Sequence, residues 1–306
     1  MNIHLFSMIS LDENEYPDLN LYRHFIDYYI KLGVDPNNFN IIPCGRKKAE
    51  KRVKLYSPDL CYNTYHKNLD EFRKINDQNN IPNLELVSKK YDIQKAHDIL
   101  IKWQWTIDDE DWIILPDADE FNDYGPFNTI PECANFLEEN NYSALRGSFE
   151  DRVAEDLILH KVRYPEDLFE QFPKKASITR YVIGATWTKI LLFKAKVEVG
   201  IGHHDVVWVP AVNSAERKKV NINRHDEDYW NYFYAPKPTP GVYDPDDIDH
   251  SRFKVRHFKW TDTLIHRLKN PNKHNELYYL FNKDRRVTKG IITDNKFAID
   301  RYLSKS

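Results

Sequence analysis

Asp117, Asp119 and Glu120 place three carboxylates within four positions, directly behind the apolar run Trp112-Ile113-Ile114-Leu115 and Pro116. Like charges about 4 Å apart repel by roughly 4 kcal/mol at an effective dielectric of 20, so such a cluster needs compensation. A hard divalent cation, Mn²⁺ or Mg²⁺, supplies it, taking few protein carboxylates and completing its shell from water and substrate phosphates. A solvated acidic loop is the alternative account of the same residues.

The elements around this stretch decide where the acids stand. Four large apolar residues in a row suit a short central strand buried on both faces, and Pro116 ends it. In open α/β sheets ligands bind beyond the carboxyl ends of strands, which is where the acids fall. Upstream, Ile3 to Ile9 reads as a strand running into the polar turn 10–17, whose Asp12, Asn14 and Glu15 make it a candidate ligand loop. Leu21, Tyr22, Phe25, Ile26, Tyr29 and Ile30 recur at helical spacing between a capping Asp18 and a terminating Gly33, and Phe39 to Ile42 reads as the next strand. That order opens a βαβ unit.

Further along, Leu69 to Asn79 predicts a helix, Leu84 to Val87 a strand, and Ile93, Ala96, Ile99, Leu100 and Trp103 the apolar side of a helix capped by Asp92. Thr129-Ile130-Pro131-Glu132 is a capping box opening a helix to about Asn140. Tyr142 to Leu145 predicts a strand leading into a polar cluster, Arg146 to Arg152, in which Asp151 and then Glu150 are candidate general bases; pairing with Arg146 or Arg152 is the competing role. Ile183 to Val199 gives strand-like segments, interrupted near Lys189, that end at Gly200-Ile201-Gly202-His203-His204-Asp205. Asp205 is a further candidate base. His203 and His204 could meet phosphate, acceptor or metal, or be structural. The aromatic group Tyr229, Trp230, Tyr232, Phe233 and Tyr234 suits either sugar stacking or packing. Phe253 to Trp260 predicts a late strand with His257 and Lys259 on one face and Phe258 and Trp260 on the other.

Composition narrows the class. A chain of 306 residues with 41% hydrophobic and 30% charged residues can bury a large core. Its formal charge of −3 gives no general attraction to nucleic acid. Cys44, Cys61 and Cys133 are odd in number and form no C-x-x-C pair, which argues against a disulfide framework or zinc ribbon and suits a reducing compartment. No apolar run reaches the roughly 20 residues of a membrane span and no signal-peptide pattern opens the chain, so a soluble cytoplasmic protein is expected. Residues 46–54 carry Arg46, Lys47, Lys48, Lys51, Arg52 and Lys54 against Glu50, a solvated basic surface or a peripheral contact with an anionic membrane or phosphate-bearing acceptor.

Three segments match one family pattern in order. Asn14-Glu15 followed by an amphipathic helix and Leu32-Gly33-Val34-Asp35, then Asp117-Ala118-Asp119-Glu120-Phe121, then His257-Phe258-Lys259-Trp260 with Arg267-Leu268, resemble GT-A fold glycosyltransferases of the broad family-2 type. The resemblance implies an α/β, Rossmann-like fold with a central, mostly parallel sheet flanked by helices, spanning 1–265 and followed by a helical extension, 266–306, packed on the same domain. It also implies an enzyme that moves a sugar from a nucleotide-diphosphate sugar, a UDP-sugar first among them, to a hydroxyl of a glycan or lipid-linked acceptor in glycan or polysaccharide synthesis. On this reading Asp117, Asp119 and His257 hold Mn²⁺ or Mg²⁺, while Asp12, Asn14, Glu15, Asp117, His203 and Lys259 meet the donor. Two other classes compete: a non-catalytic nucleotide-sugar or carbohydrate-binding module, and a metal-dependent phosphodiesterase or nucleotidyltransferase.

Overall fold

Strand β1 (Ile3–Ser10) is where the sheet begins. The computed structural model describes residues 1–11, 18–45, 58–85, 93–179, 186–200, 202–204, 206–208, 242–243, 252–261, 263, 292–293 and 296–297, without the side chains of 58–66, 93–96, 207–208, 242, 292–293 and 296–297. After β1, helix α1 (Leu19–Lys31) starts where the Asp18 side chain accepts from the backbone N–H groups of Asn20 and Leu21, a cap worth about 1 kcal/mol. The helix turns Leu21, Tyr22, Phe25, Ile26 and Tyr29 into the core and ends at Gly33, whose φ of +94° is the left-handed conformation glycine adopts freely. Strand β2 (Phe39–Cys44) then pairs in parallel with β1.

Helices α2 (Pro58–Gln78) and α3 (Ile93–Gln104) follow. Between them Leu84 and Glu85 are not strand, contrary to expectation; Leu84 packs singly against apolar neighbours and its flanking residues are exposed. Strand β3 (Trp112–Ile114) lies parallel to β1 on the side away from β2. Its residues divide as a doubly covered strand requires: Trp112 and Ile114 enter the larger apolar cluster with Phe25 and Phe121, while Ile113 and Leu115 enter the smaller one with Phe6 and Phe193.

The chain then departs from the simple βα order. Strand β4 (Glu120–Tyr124) starts inside the acidic stretch, and α4 (Ile130–Glu139), capped by Thr129, leads to β5 (Ala144–Val153). The polar cluster expected beyond a strand end therefore lies within β5, where flanking strands cover it. After the short α5 (Leu168–Gln171) and β6 (Lys174–Ala176), β7 (Thr188–Lys194) runs antiparallel between β3 and β5. The two-residue β8 (Glu198–Val199) and β9 (Val206–Trp208) form a separate hairpin. Strand β10 (Val242–Tyr243) joins β5, and β11 (Phe253–His257) lies parallel to β5 and antiparallel to β4. The main path of the sheet is β2-β1-β3-β7-β5-β11-β4. It is an α/β, Rossmann-like arrangement in which a parallel β2-β1-β3 half meets antiparallel pairings through β7 and β4. Within residues 266–306 the described pairs, β12 (Ile292–Thr293) and β13 (Lys296–Phe297), are strands; the rest of the expected helical extension lies outside the described residues.

Gly147 fixes how closely the sheet closes at this seam. A β-carbon there would come within 2.6 Å of Leu191 Cδ1 and 2.8 Å of the Phe253 carbonyl oxygen, so the approach of β7 and β11 to β5 requires a residue without a side chain.

Candidate active site

The turn between β3 and β4 is shaped by its own acids. Glu120 N–H donates to the Asp117 carbonyl at 2.9 Å, and Glu120 Oε2 accepts from Asp117 N–H at 2.8 Å. Glu120 thus points inward and holds the turn while Asp117 remains exposed and Asp119 half-buried. Inside, Glu120 meets Lys189 of β7, a buried ammonium whose Nζ also lies 3.4 Å from Asp117 Oδ2. Burial, with Asp117 and Asp119 adding to it, pushes the Glu120 carboxyl up to about 7 against the pull of Lys189. Burial works against the Lys189 charge, yet Asp117 and Glu120 hold it above the ordinary lysine value. The shifts point different ways: the surrounding carboxylates favour the charge on Lys189, while burial and the neighbouring Asp117 and Asp119 disfavour the charge on Glu120, so the Glu120–Lys189 contact is set in a crowded acidic environment.

His257 closes the other side. As the last residue of β11 it stands in register with Glu120 on β4 and Asp151 on β5. Its Nδ1 is 3.0 Å from Asp151 Oδ1, and its Nε2 is 3.6 Å from Asp119 Oδ2. Burial pulls the imidazole pKa down, but Asp119 and then Asp151 outweigh it and push the value up to about 9. Asp151 is fully enclosed. Its Oδ2 accepts from Thr179 N–H at 2.7 Å, and its Oδ1 from Thr179 Oγ1 at 2.7 Å and Trp260 Nε1 at 2.8 Å. Burial opposes ionisation here too, and the His257 contact leads the interactions that hold the carboxyl below its ordinary range.

His203 and His204 occupy the turn of the β8–β9 hairpin. Ile190 N–H donates to the His203 carbonyl at 2.8 Å, and His204 Nδ1 is 2.6 Å from the Thr188 carbonyl, so β7 anchors both. Burial, with Lys189 next, lowers His203 well below the ordinary histidine value. The Phe149 ring neighbours both sides of the site, 5.3 Å from His257 and 6.3 Å from His204.

A divalent ion can be tested against these groups. Two ligands each about 2.1 Å from one ion are at most about 4.2 Å apart, a span that the 3.6 Å between Asp119 Oδ2 and His257 Nε2 satisfies. Asp151 behind His257 gives the carboxylate–imidazole support usual for a ligating histidine. Among the described residues no group of three or more His, Cys, Asp or Glu is arranged to hold a metal. The chain therefore fits an ion held by Asp119 and His257, with the remaining positions left to a phosphate-bearing ligand and water.

The structure brings Asp117, Asp119, His257, Asp151 and His203 into one neighbourhood. Glu150 faces elsewhere, 2.8 Å from Arg152 Nη2 and 3.3 Å from Lys175 Nζ, the ion-pair alternative for this acid. Lys259 is half-buried just past β11. The expected alternation over 257–260 fails, because β11 ends at His257 and Trp260 reaches the same Asp151 oxygen as His257. Asp12, Asn14, Glu15, Asp205, residues 46–54 and the aromatic group 229–234 lie outside the described residues. Lys189 and Thr179 were not singled out by sequence. Lys189 had a signal, a lone charge between Trp187 and Phe193; Thr179 had none.

No protein-family model matches the chain, and no curated protein does. A solved structure similar to it is a 4-diphosphocytidyl-2C-methyl-D-erythritol synthase, 11% identical, with 64% of this chain and 76% of that one covered and a TM-score of 0.27. A likeness of that degree carries no functional argument.

Proposed function

We propose that the protein is a divalent-metal-dependent glycosyltransferase that uses a nucleotide-diphosphate sugar, with UDP-sugars as the first donors to test. The observation that carries this reading is the pairing of Asp119 with His257 at the edge where β3 ends and β4 and β11 meet, His257 being fixed from behind by Asp151. The family resemblance of the Asp117 to Phe121 and His257 to Trp260 segments supports the same assignment.

On this reading Asp119 and His257 hold Mn²⁺ or Mg²⁺, which when bound stabilises the negative charge that grows on the departing diphosphate. Asp151 keeps the His257 Nδ1 hydrogen, so that Nε2 faces Asp119. This makes Asp151 a positioning residue, since neither of its oxygens opens on the site. Glu120 and Lys189 set the Asp117 turn, and Lys259 is the candidate cation for the phosphates.

Incubating the protein with Mn²⁺ and a panel of nucleotide sugars, and resolving the products, tests the reading. Release of sugar together with nucleoside diphosphate supports it. Pyrophosphate release would indicate nucleotidyl transfer, and donor binding without turnover a binding module.

A further inference from the structure

We propose that His204 is the group that takes the proton from the attacking hydroxyl, an assignment that rests on the glycosyltransferase reading above. The backbone sets it up. Gly202 and His203 both lie in the left-handed region, at φ +83° and +61°, which suits glycine and is strained for histidine. With the turn anchored to β7, His204 Nδ1 reaches the Thr188 carbonyl at 2.6 Å. A carbonyl only accepts, so in the neutral ring Nδ1 carries the hydrogen and Nε2 keeps its lone pair. Among the described residues Nε2 has no hydrogen-bond partner. A β-carbon on Gly202 would come to 3.0 Å from His204 Cδ2 and 3.3 Å from Nε2, so the glycine keeps that edge of the ring open.

The half-buried ring borders the site: the Phe149 ring neighbours both it and His257, and Lys189 and Asp117 are the charges acting on it. Burial, seconded by Lys189 and opposed by the Thr188 bond and Asp117, brings its pKa down to about 4. It is then neutral in ordinary buffers and about as basic as a glutamate carboxylate, whose usual value is about 4.3. The described acids nearby are occupied: Asp151 by Thr179, Trp260 and His257, Asp117 by Lys189, and Glu150 by Arg152 and Lys175. In the step itself the acceptor O–H bond breaks, the proton passes to Nε2, and the oxygen's electron pair forms the bond to the anomeric carbon. The carbon–oxygen bond to the phosphate breaks and its pair leaves on the nucleoside diphosphate. A single displacement of this kind inverts the anomeric configuration.

Water serves as the acceptor in the test. UDP-glucose, UDP-galactose and UDP-N-acetylglucosamine are incubated with Mn²⁺ and the wild type, His204→Ala or His204→Gln, the last able to donate to Thr188 but unable to take a proton. Sugar release should fall at least about a hundredfold in both variants, with UDP affinity within about twofold of wild type, and added imidazole should restore His204→Ala. Unchanged release in His204→Gln, or a tenfold loss of UDP affinity, overturns the assignment. So does an NMR spectrum of ¹⁵N-histidine-labelled protein in which His204 carries its hydrogen on Nε2, a readout that needs no turnover. A wild type that neither binds UDP nor releases sugar would instead remove the glycosyltransferase reading itself.

Discussion

Lys189 reaches from the start of the buried strand β7 to within 3.4 Å of the Asp117 carboxylate while it pairs with Glu120 beneath the same turn. Removing one partner of a buried ion pair leaves the other uncompensated, at about 3–5 kcal/mol. Lys189→Met should lower stability by that order in urea unfolding. Combining it with Glu120→Gln should recover most of the loss. An additive double variant would show that the two side chains do not depend on each other.

Gly147→Ala tests the seam between β5, β7 and β11. The new β-carbon would meet the Phe253 carbonyl at 2.8 Å, and backbone cannot yield as a side-chain tip can. A loss of about 1–3 kcal/mol, typical of overpacking, is expected in thermal or urea unfolding. A change under 0.5 kcal/mol would mean that the strands separate freely.

Far from the site, Asp111 accepts from Asn2 N–H at 2.6 Å and Asn2 Nδ2 at 3.0 Å, and lies 3.0 Å from His4 Nε2. Burial opposes its charge, but these contacts hold its carboxyl below the ordinary aspartate value. A depressed folded-state pKa contributes stability that is present above the unfolded-state value, near 4, and is lost as pH falls through the folded-state value. Asp111→Asn should therefore reduce the loss of stability between about pH 5 and pH 2, measured by urea midpoints. An identical pH profile in the variant would contradict this.

Asp151→Asn should leave donor contacts in place but loosen His257. Loss of such second partners typically lowers metal affinity about 10–100-fold, so the variant should need about that much more Mn²⁺ to promote UDP binding and should show a lower melting temperature. Loss of turnover with unchanged Mn²⁺ dependence would argue instead that Asp151 acts on the acceptor.

What could be read from sequence follows from locality. Strand β3 announced itself because Trp112 to Leu115 is uninterrupted, and α1 and α4 because period and caps are local. β4 did not, since Glu120-Phe121-Asn122-Asp123-Tyr124 has little strand propensity; it is held by β11 and by the Tyr28 and Tyr29 hydroxyls, which bond to Asn122 and Glu120 carbonyls. The charged part of β5 looked like a loop because its partners, Lys175, Thr179 and Lys254, come from distant segments. In the site, Asp119 and His257 were singled out by motif and resemblance, and the fold sets them side by side. Lys189 looked like a break in a strand because its counter-charges lie on another element.

The claim that Asp119 and His257 share a divalent ion with a nucleoside diphosphate is tested most directly by calorimetric titration of UDP into wild type, Asp119→Asn and His257→Ala, each with and without Mn²⁺. Wild type should bind UDP more tightly with Mn²⁺, and both variants should lose that enhancement while keeping the metal-free affinity and the fold. Wild-type Mn²⁺ enhancement in either variant would contradict the account.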